Sequence, residues 1–120
     1  MKVIRKFFYR FIDGRRLDKA IREANMAHKK YHERYYIMSD GELNVFWLNK
    51  QMFRELRASG YIHPSMFVRD LQERSWYFTA HRNGTGSMSV EDKQVRRAAY
   101  FRYCQECREA NRYIKKINSK

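Results

Sequence analysis

The sequence predicts an α+β fold: a small antiparallel sheet covered by amphipathic helices, with a long C-terminal helix. Two observations lead there. Asp40-Gly41 separates two runs rich in β-branched and aromatic residues, the pattern of a β-hairpin. On either side of that region apolar residues recur at helical rather than strand spacing. A chain of 120 residues can bury one modest core but not two, so a single domain spanning 1–120 is expected.

Val3, Ile4, Phe7, Phe8 and Phe11 fall on one side of a first helix over 2–13, with Lys2, Lys6 and Arg10 on the other. Asp13-Gly14 reads as its stop, because glycine suits a helix end. A second helix over 16–32 would bury Leu17, Ala20, Ile21, Ala24 and Tyr31 and present Arg15, Lys19, Arg22 and Lys29 on its opposite face. The hairpin covers 34–48, with strands 34–39 and 42–48 joined by the two-residue turn. Asn49 is placed to cap a third helix that buries Met52, Phe53 and Leu56 and closes at Gly60. His63-Pro64 breaks the chain, and Ser65 would cap a brief fourth helix whose apolar side is Phe67, Val68 and Leu71.

Residues 75–80 read as a third strand, joining the hairpin because two strands alone are marginal in water. Residues 81–89 form a loop, and Ser89 with Asp92 resembles a capping box at the start of the last helix, 90–117. Its expected inner stripe is Val95, Ala99, Tyr103, Ala110, Tyr113 and Ile117, while Arg97, Phe101, Arg108, Arg112 and Lys115 share another face. No internal repeat or low-complexity tract interrupts these elements.

Charge is the most informative part of the composition. Lys and Arg number 26 against 13 Asp and Glu, a formal net charge of +13. Of the cations, 16 are arginine, whose planar fork matches phosphate and stacks on bases. Residues 1–30 carry +7 and residues 91–120 carry +5, whereas residues 31–60 are neutral. The basic helices 2–13, 16–32 and 90–117 therefore flank a nearly neutral centre over 34–80. Apolar content of 43% and 16% aromatics argue against disorder. Two cysteines, Cys104 and Cys107, do not make a secreted disulfide framework, so a reducing, cytoplasmic setting is expected. Arg10 interrupts the apolar N-terminal stretch, which argues against a signal peptide, and no run reaches the ~20 apolar residues of a membrane span.

Unneutralised cations on one helix face repel each other unless a polyanion relieves them. The candidate nucleic-acid-binding residues are therefore Arg15, Lys19, Arg22 and Lys29, together with Arg97, Arg108, Arg112 and Lys115. Phe101 either stacks on a base or packs under the first helix. A narrower reading makes 49–73 a helix-turn-helix with 75–89 as a wing, exposing Arg69, Gln72 and Arg74, although this stretch is nearly neutral.

His28, His32, Cys104 and Cys107 offer four zinc-type ligands, but both pairs fall inside expected helices rather than on tight turns. Gly84-Thr85-Gly86 lacks the Gly-Lys-Ser/Thr ending of a phosphate-cradling loop and reads as a flexible linker beside Arg82. Asp70 and Glu73, next to Arg69 and Arg74, read as a solvated face rather than an acid/base pair. The first helix, basic with three Phe, invites a membrane-surface reading, against which stands its use as cover for the core.

The sequence thus points to a small basic accessory protein that binds DNA or RNA through phosphate contacts, with no enzymatic activity, no cofactor and no metal. The alternative is a protein–protein adaptor, or a structural part of a larger nucleoprotein assembly, that neutralises an acidic partner. Six phosphate contacts would give a log–log salt slope of about −5.

Overall fold

The computed structural model describes residues 2–119. It is α+β, with four α-helices and a three-stranded antiparallel sheet. The first helix, α1, runs unbroken from Lys2–Tyr31, so the two helices expected over 2–13 and 16–32 are one. Gly14 does not stop it. A Cβ at Gly14 would lie 3.2 Å from Arg97 Nη2 and 3.6 Å from the Phe101 ring, so the missing side chain lets another helix approach closely. The helix ends instead at His32, which adopts φ 58° and donates its backbone N–H to the His28 carbonyl. This is the left-handed cap that glycine usually supplies.

Strands β1 (Tyr36–Ser39) and β2 (Val45–Leu48) form the expected hairpin, and β3 (Tyr77–Phe78) joins β1 on its other side, in the order β2-β1-β3. The turn is longer than two residues, because pairing stops at Ser39↔Val45. The Asp40 carboxylate accepts hydrogen bonds from the Glu42 N–H at 2.8 Å and the Asn44 side-chain amide at 2.9 Å. A short polar side chain that captures local donors competes with the ladder, which accounts for the wider loop.

Helix α2 (Lys50–Ala58) starts as expected, with Asn49 Oδ1 accepting from the Met52 N–H, and it closes where Gly60 takes φ 83°. The brief helix after His63-Pro64 is a 3-10 turn, Val68–Asp70, running into the four-residue α3, Leu71–Arg74. Its start is held by Asp70, which accepts from the Phe67 N–H. Ser65, expected to be the cap, is instead paired with the His63 ring. The last helix, α4, runs Val90–Asn118 from an N-cap at Ser89, whose Oγ accepts from the Asp92 N–H.

The strands alternate as period-2 elements must, but both faces are covered. Tyr35 and Ile37 pack with Leu17, Ala20, Ala24 and Ala27 of α1 and with Tyr100 and Cys104 of α4. Tyr36, Leu48 and Phe78 pack on the other side with Phe53, Leu71 and Met88. The inner side of α4 differs from the expected stripe. Tyr100 and Cys104 are buried, whereas Val95, Tyr113 and Ile117 are more than half exposed and Ala110 is exposed. Arginine occupies positions where apolar residues would be expected. Arg96 pairs with Asp92 at 2.8 Å and donates to the carbonyls of Gln72 and Ser75 at 2.7 and 2.6 Å.

Helix α1 likewise overruns the core at both ends. Phe7, Phe8 and Phe11 are 71%, 60% and 62% exposed, so they do not cover the core, and Tyr31 is also exposed. The side chains of Lys2, Val3, Ile4 and Lys6 lie outside those described. Among the described residues, no helix is long and apolar enough to cross a membrane.

Candidate polyanion-binding cleft

The contact between α1 and α4 is made largely by arginines and carboxylates. The Arg108 guanidinium donates two hydrogen bonds to Asp13, whose side chain is 3% exposed, and Arg16 lies 3.6 Å from the same carboxylate. Further along, Arg97 donates to Asp18 at 2.7 Å. Guanidinium groups also lie over aromatic rings. Arg108 is 4.2 Å from the Tyr9 centroid, and Phe101 has Arg10 at 5.0 Å and Arg97 at 5.3 Å. Such cation–π contacts involve arginine more often than lysine. The hydrogen bond to Asp13 holds the Arg108 pKa above its ordinary value. Behind them, burial raises the pKa of the Tyr100 hydroxyl and the Cys104 thiol.

Beyond this contact the N-terminal part of α1 and the C-terminal part of α4 enclose a cleft of about 560 Å³. Its wall includes Tyr9, Ala98 and Phe101, and its cations are Arg5, Arg10, Arg102, Arg108 and Arg112. Among the described lining residues only Asp13 and Glu109 oppose them, and Asp13 is already engaged by Arg108. Among the described residues, Arg5, Arg102 and Arg112 have no carboxylate within 4.0 Å. All three are exposed.

The nine residues singled out from the sequence do not form one patch. Arg108, Arg112 and Phe101 line the cleft, and Arg97 lies against Phe101. Arg97 and Arg108 are tied to Asp18 and Asp13, so they are not unneutralised cations. Phe101 is half-buried against the core, with guanidinium groups close to its ring. Arg15, Lys19, Arg22 and Lys29 are exposed on the side of α1 turned away from buried Leu17, Ala20 and Ala24, and Lys19 is 3.9 Å from Glu23. Lys115 is exposed on the last turns of α4 and is not part of the cleft lining.

Sequence reasoning missed Arg5, Tyr9, Arg10 and Arg102. Arg102, Gln105, Glu109 and Arg112 repeat at helical spacing, a signal that could have marked that wall. Arg5, Tyr9 and Asp13 make a stripe that runs up to the supposed helix stop, which concealed its continuation toward Arg16.

The remaining sequence candidates lie away from the cleft or in other contacts. The four-residue α3 is too short for a recognition helix, and Arg69 lies 5.0 Å from the Phe67 ring centroid, so 49–73 is not a helix-turn-helix. His28 contacts the Glu33 carbonyl at 2.7 Å, both cysteines are free thiols, and no metal-type cluster of three or more groups occurs among the described residues. The Gly84-Thr85-Gly86 loop is anchored rather than a free linker. Buried Arg34 donates to the Gly86 carbonyl and to Gln72 Oε1, while the His81 N–H donates to the Thr85 carbonyl.

Comparison with known proteins finds no match to this chain among protein families, curated proteins or solved structures.

Proposed function

We propose that the chain is a small nucleic-acid-binding accessory protein, working in a reducing, cytoplasmic setting without catalysis, that grips phosphates with little sequence discrimination. One observation carries the reading: Arg5, Arg102 and Arg112 surround a concave surface with no carboxylate partner among the described residues, beside Arg10 over Phe101. Arginines held apart from acids in a cleft favour an anion that several of them can share. The cations on the outer face of α1, Arg15, Arg22 and Lys29, add general attraction for a polyanion.

Four phosphate contacts, from Arg5, Arg10, Arg102 and Arg112, give an expected log–log salt slope of about −3 on single strands. Fluorescence anisotropy with labelled DNA and RNA across salt measures it. A flat titration, or no binding at low salt, removes the proposal.

A second reading, as a protein–protein adaptor, is favoured by a different observation. Phe7, Phe8 and Phe11 on α1 and Tyr113, Ile114 and Ile117 on α4 are all more than half exposed. Contiguous exposed apolar residues mark interaction surfaces, and each of these two sets falls within five successive positions of one helix. Co-purification with and without nuclease separates the two, because a protein partner survives digestion.

A further inference from the structure

A basic surface and a basic concavity select different polyanions, and two of the arginines lying over aromatic rings, Arg10 and Arg108, line a concavity. Reading duplex DNA takes a projecting element, typically a helix about 10–12 Å across entering a major groove about 12 Å wide. The cleft offers the inverse shape. Its volume of about 560 Å³ lies between two helices, with Tyr9 and Phe101 in its wall and exposed Arg5, Arg102 and Arg112 around it. A base-paired rod cannot bring its stacked bases into such a recess, whereas an unpaired nucleotide can enter with its phosphate left outside.

The lining chemistry agrees with the shape. Single-strand sites combine a positive groove with flat π-surfaces on which bases stack, and arginine planes serve as well as aromatic rings. Arg10 sits 5.0 Å from the Phe101 centroid and Arg108 sits 4.2 Å from the Tyr9 centroid. Each of these guanidinium groups lies over a ring, which restricts its position before any ligand arrives. Arg108 is further held by Asp13, while Arg10 and Arg102 are exposed. The cleft therefore has a held wall, Arg108 with Tyr9 and Arg10 with Phe101, and exposed Arg5, Arg102 and Arg112 placed to meet a phosphate.

We infer that this cleft receives an unpaired nucleotide, so that the protein takes single-stranded DNA or RNA in preference to duplex. The inference rests on the nucleic-acid reading above and goes beyond it by naming the strand state and the recess that reads it. DNA and RNA share the chemistry invoked here, a flat base and a phosphate, and the two are tested side by side.

The experiment measures Kd by anisotropy for a short labelled single strand, as DNA and as RNA, and for a hairpin duplex of the same length, between about 50 and about 200 mM salt. Single strands of at least one sugar type are expected to bind about tenfold more tightly than duplex, the size of effect one stacked base supplies. Arg10→Lys keeps the charge but loses the plane. It is expected to weaken single-strand binding about fivefold or more, with duplex binding and the salt slope nearly unchanged. The Arg10 side chain is exposed, and a thermal melt of the variant verifies that it remains folded. Duplex binding equal to or tighter than single-strand binding, or equal losses on both in the lysine variant, overturns the inference and leaves the nucleic-acid reading standing. Absence of salt-dependent binding to any of the oligonucleotides overturns both.

Discussion

Arg108 and Asp13 are joined by two hydrogen bonds, Nη1 to Oδ2 at 2.6 Å and Nη2 to Oδ1 at 2.5 Å, and the pair ties α4 to α1. Removing one partner of a buried pair leaves the other charged and desolvated, at a cost of about 3–5 kcal/mol. Asp13→Ala should lose stability on that scale in urea unfolding, since it also leaves Arg16 and Arg108 facing each other. The double variant Asp13→Leu/Arg108→Met should recover part of the loss. A loss under about 1 kcal/mol for Asp13→Ala would show that this pair does not hold the helices together.

Gly14 separates propensity from packing. Alanine gains about 1 kcal/mol over glycine inside a helix. The nearest atom to its Cβ would be Arg97 Nη2 at 3.2 Å, the end of a flexible side chain. Gly14→Ala should therefore be neutral or stabilising. Gly14→Leu, which must displace the Phe101 ring, should cost about 1–3 kcal/mol. Equal thermal melts for Ala and Leu would contradict the close approach.

At the other end of α1, His32 holds φ 58°, a region L-residues enter at a cost of roughly 1 kcal/mol. His32→Gly is expected to raise stability by several tenths to about 1 kcal/mol in chemical denaturation, after glycine's extra unfolded-state entropy is counted. A clear destabilisation would mean that the imidazole makes a contribution the helix cap does not explain.

The two basic surfaces should differ in their effect on binding. Arg5→Gln/Arg102→Gln/Arg112→Gln should reduce the magnitude of the salt slope by about two to three and weaken binding at every sequence tested. Arg15→Gln/Arg22→Gln/Lys29→Gln removes as much charge from the outer face of α1 and should weaken binding less. Equal losses would move the site away from the cleft.

Stability should fall at alkaline pH. Burial is the leading cause of raised pKa values at Tyr35, Tyr36, Tyr100 and Cys104. In the unfolded chain a thiol titrates near 8.5 and a phenol near 10, so the unfolded state loses protons first as pH rises. The folded state then holds the excess of protons, and stability intact below about pH 8.5 declines above it. Tyr103, pushed up to about 12 chiefly by burial, acts in the same direction. Melting temperatures from about pH 7 to about pH 11 check this, and Tyr100→Phe should flatten the decline. An unchanged melting temperature over that range would show that these groups are not buried as neutral species.

Elements whose signals are local were legible in the sequence. Asn49 and Ser89 cap their helices because each supplies an oxygen to a nearby N–H, a relationship spanning three residues. The hairpin and the third strand were legible for the same kind of reason, alternation within short runs. Features set by distant packing were not. Gly14 looks like a helix end until Arg97 and Phe101 are placed against it, residues more than eighty positions away. The stripe through Val95, Tyr113 and Ile117 has helical period but no surface to cover: Tyr113 and Ile117 lie where α4 has run past the buried Tyr100 and Cys104, and Val95 points outward beside the docked Arg96. Arg97 and Arg108 looked unneutralised because Asp18 and Asp13 lie far away in the chain. The cleft was only half visible, through Phe101, Arg108 and Arg112, because its other wall required α1 to continue through Gly14.

Among the described residues before Asp13, none of the α1 side chains is buried, and every described residue of α4 after Arg108 is exposed. Each helix thus projects past the core, and the two approach closely where Gly14 meets Phe101. At 1.5 Å of rise per residue, the α1 segment from Asp13 outward is about 16 Å long, so a difference of about 10° in crossing angle would displace its tip by roughly 3 Å. The absence of a side chain at one position therefore sets how far apart the two jaws stand.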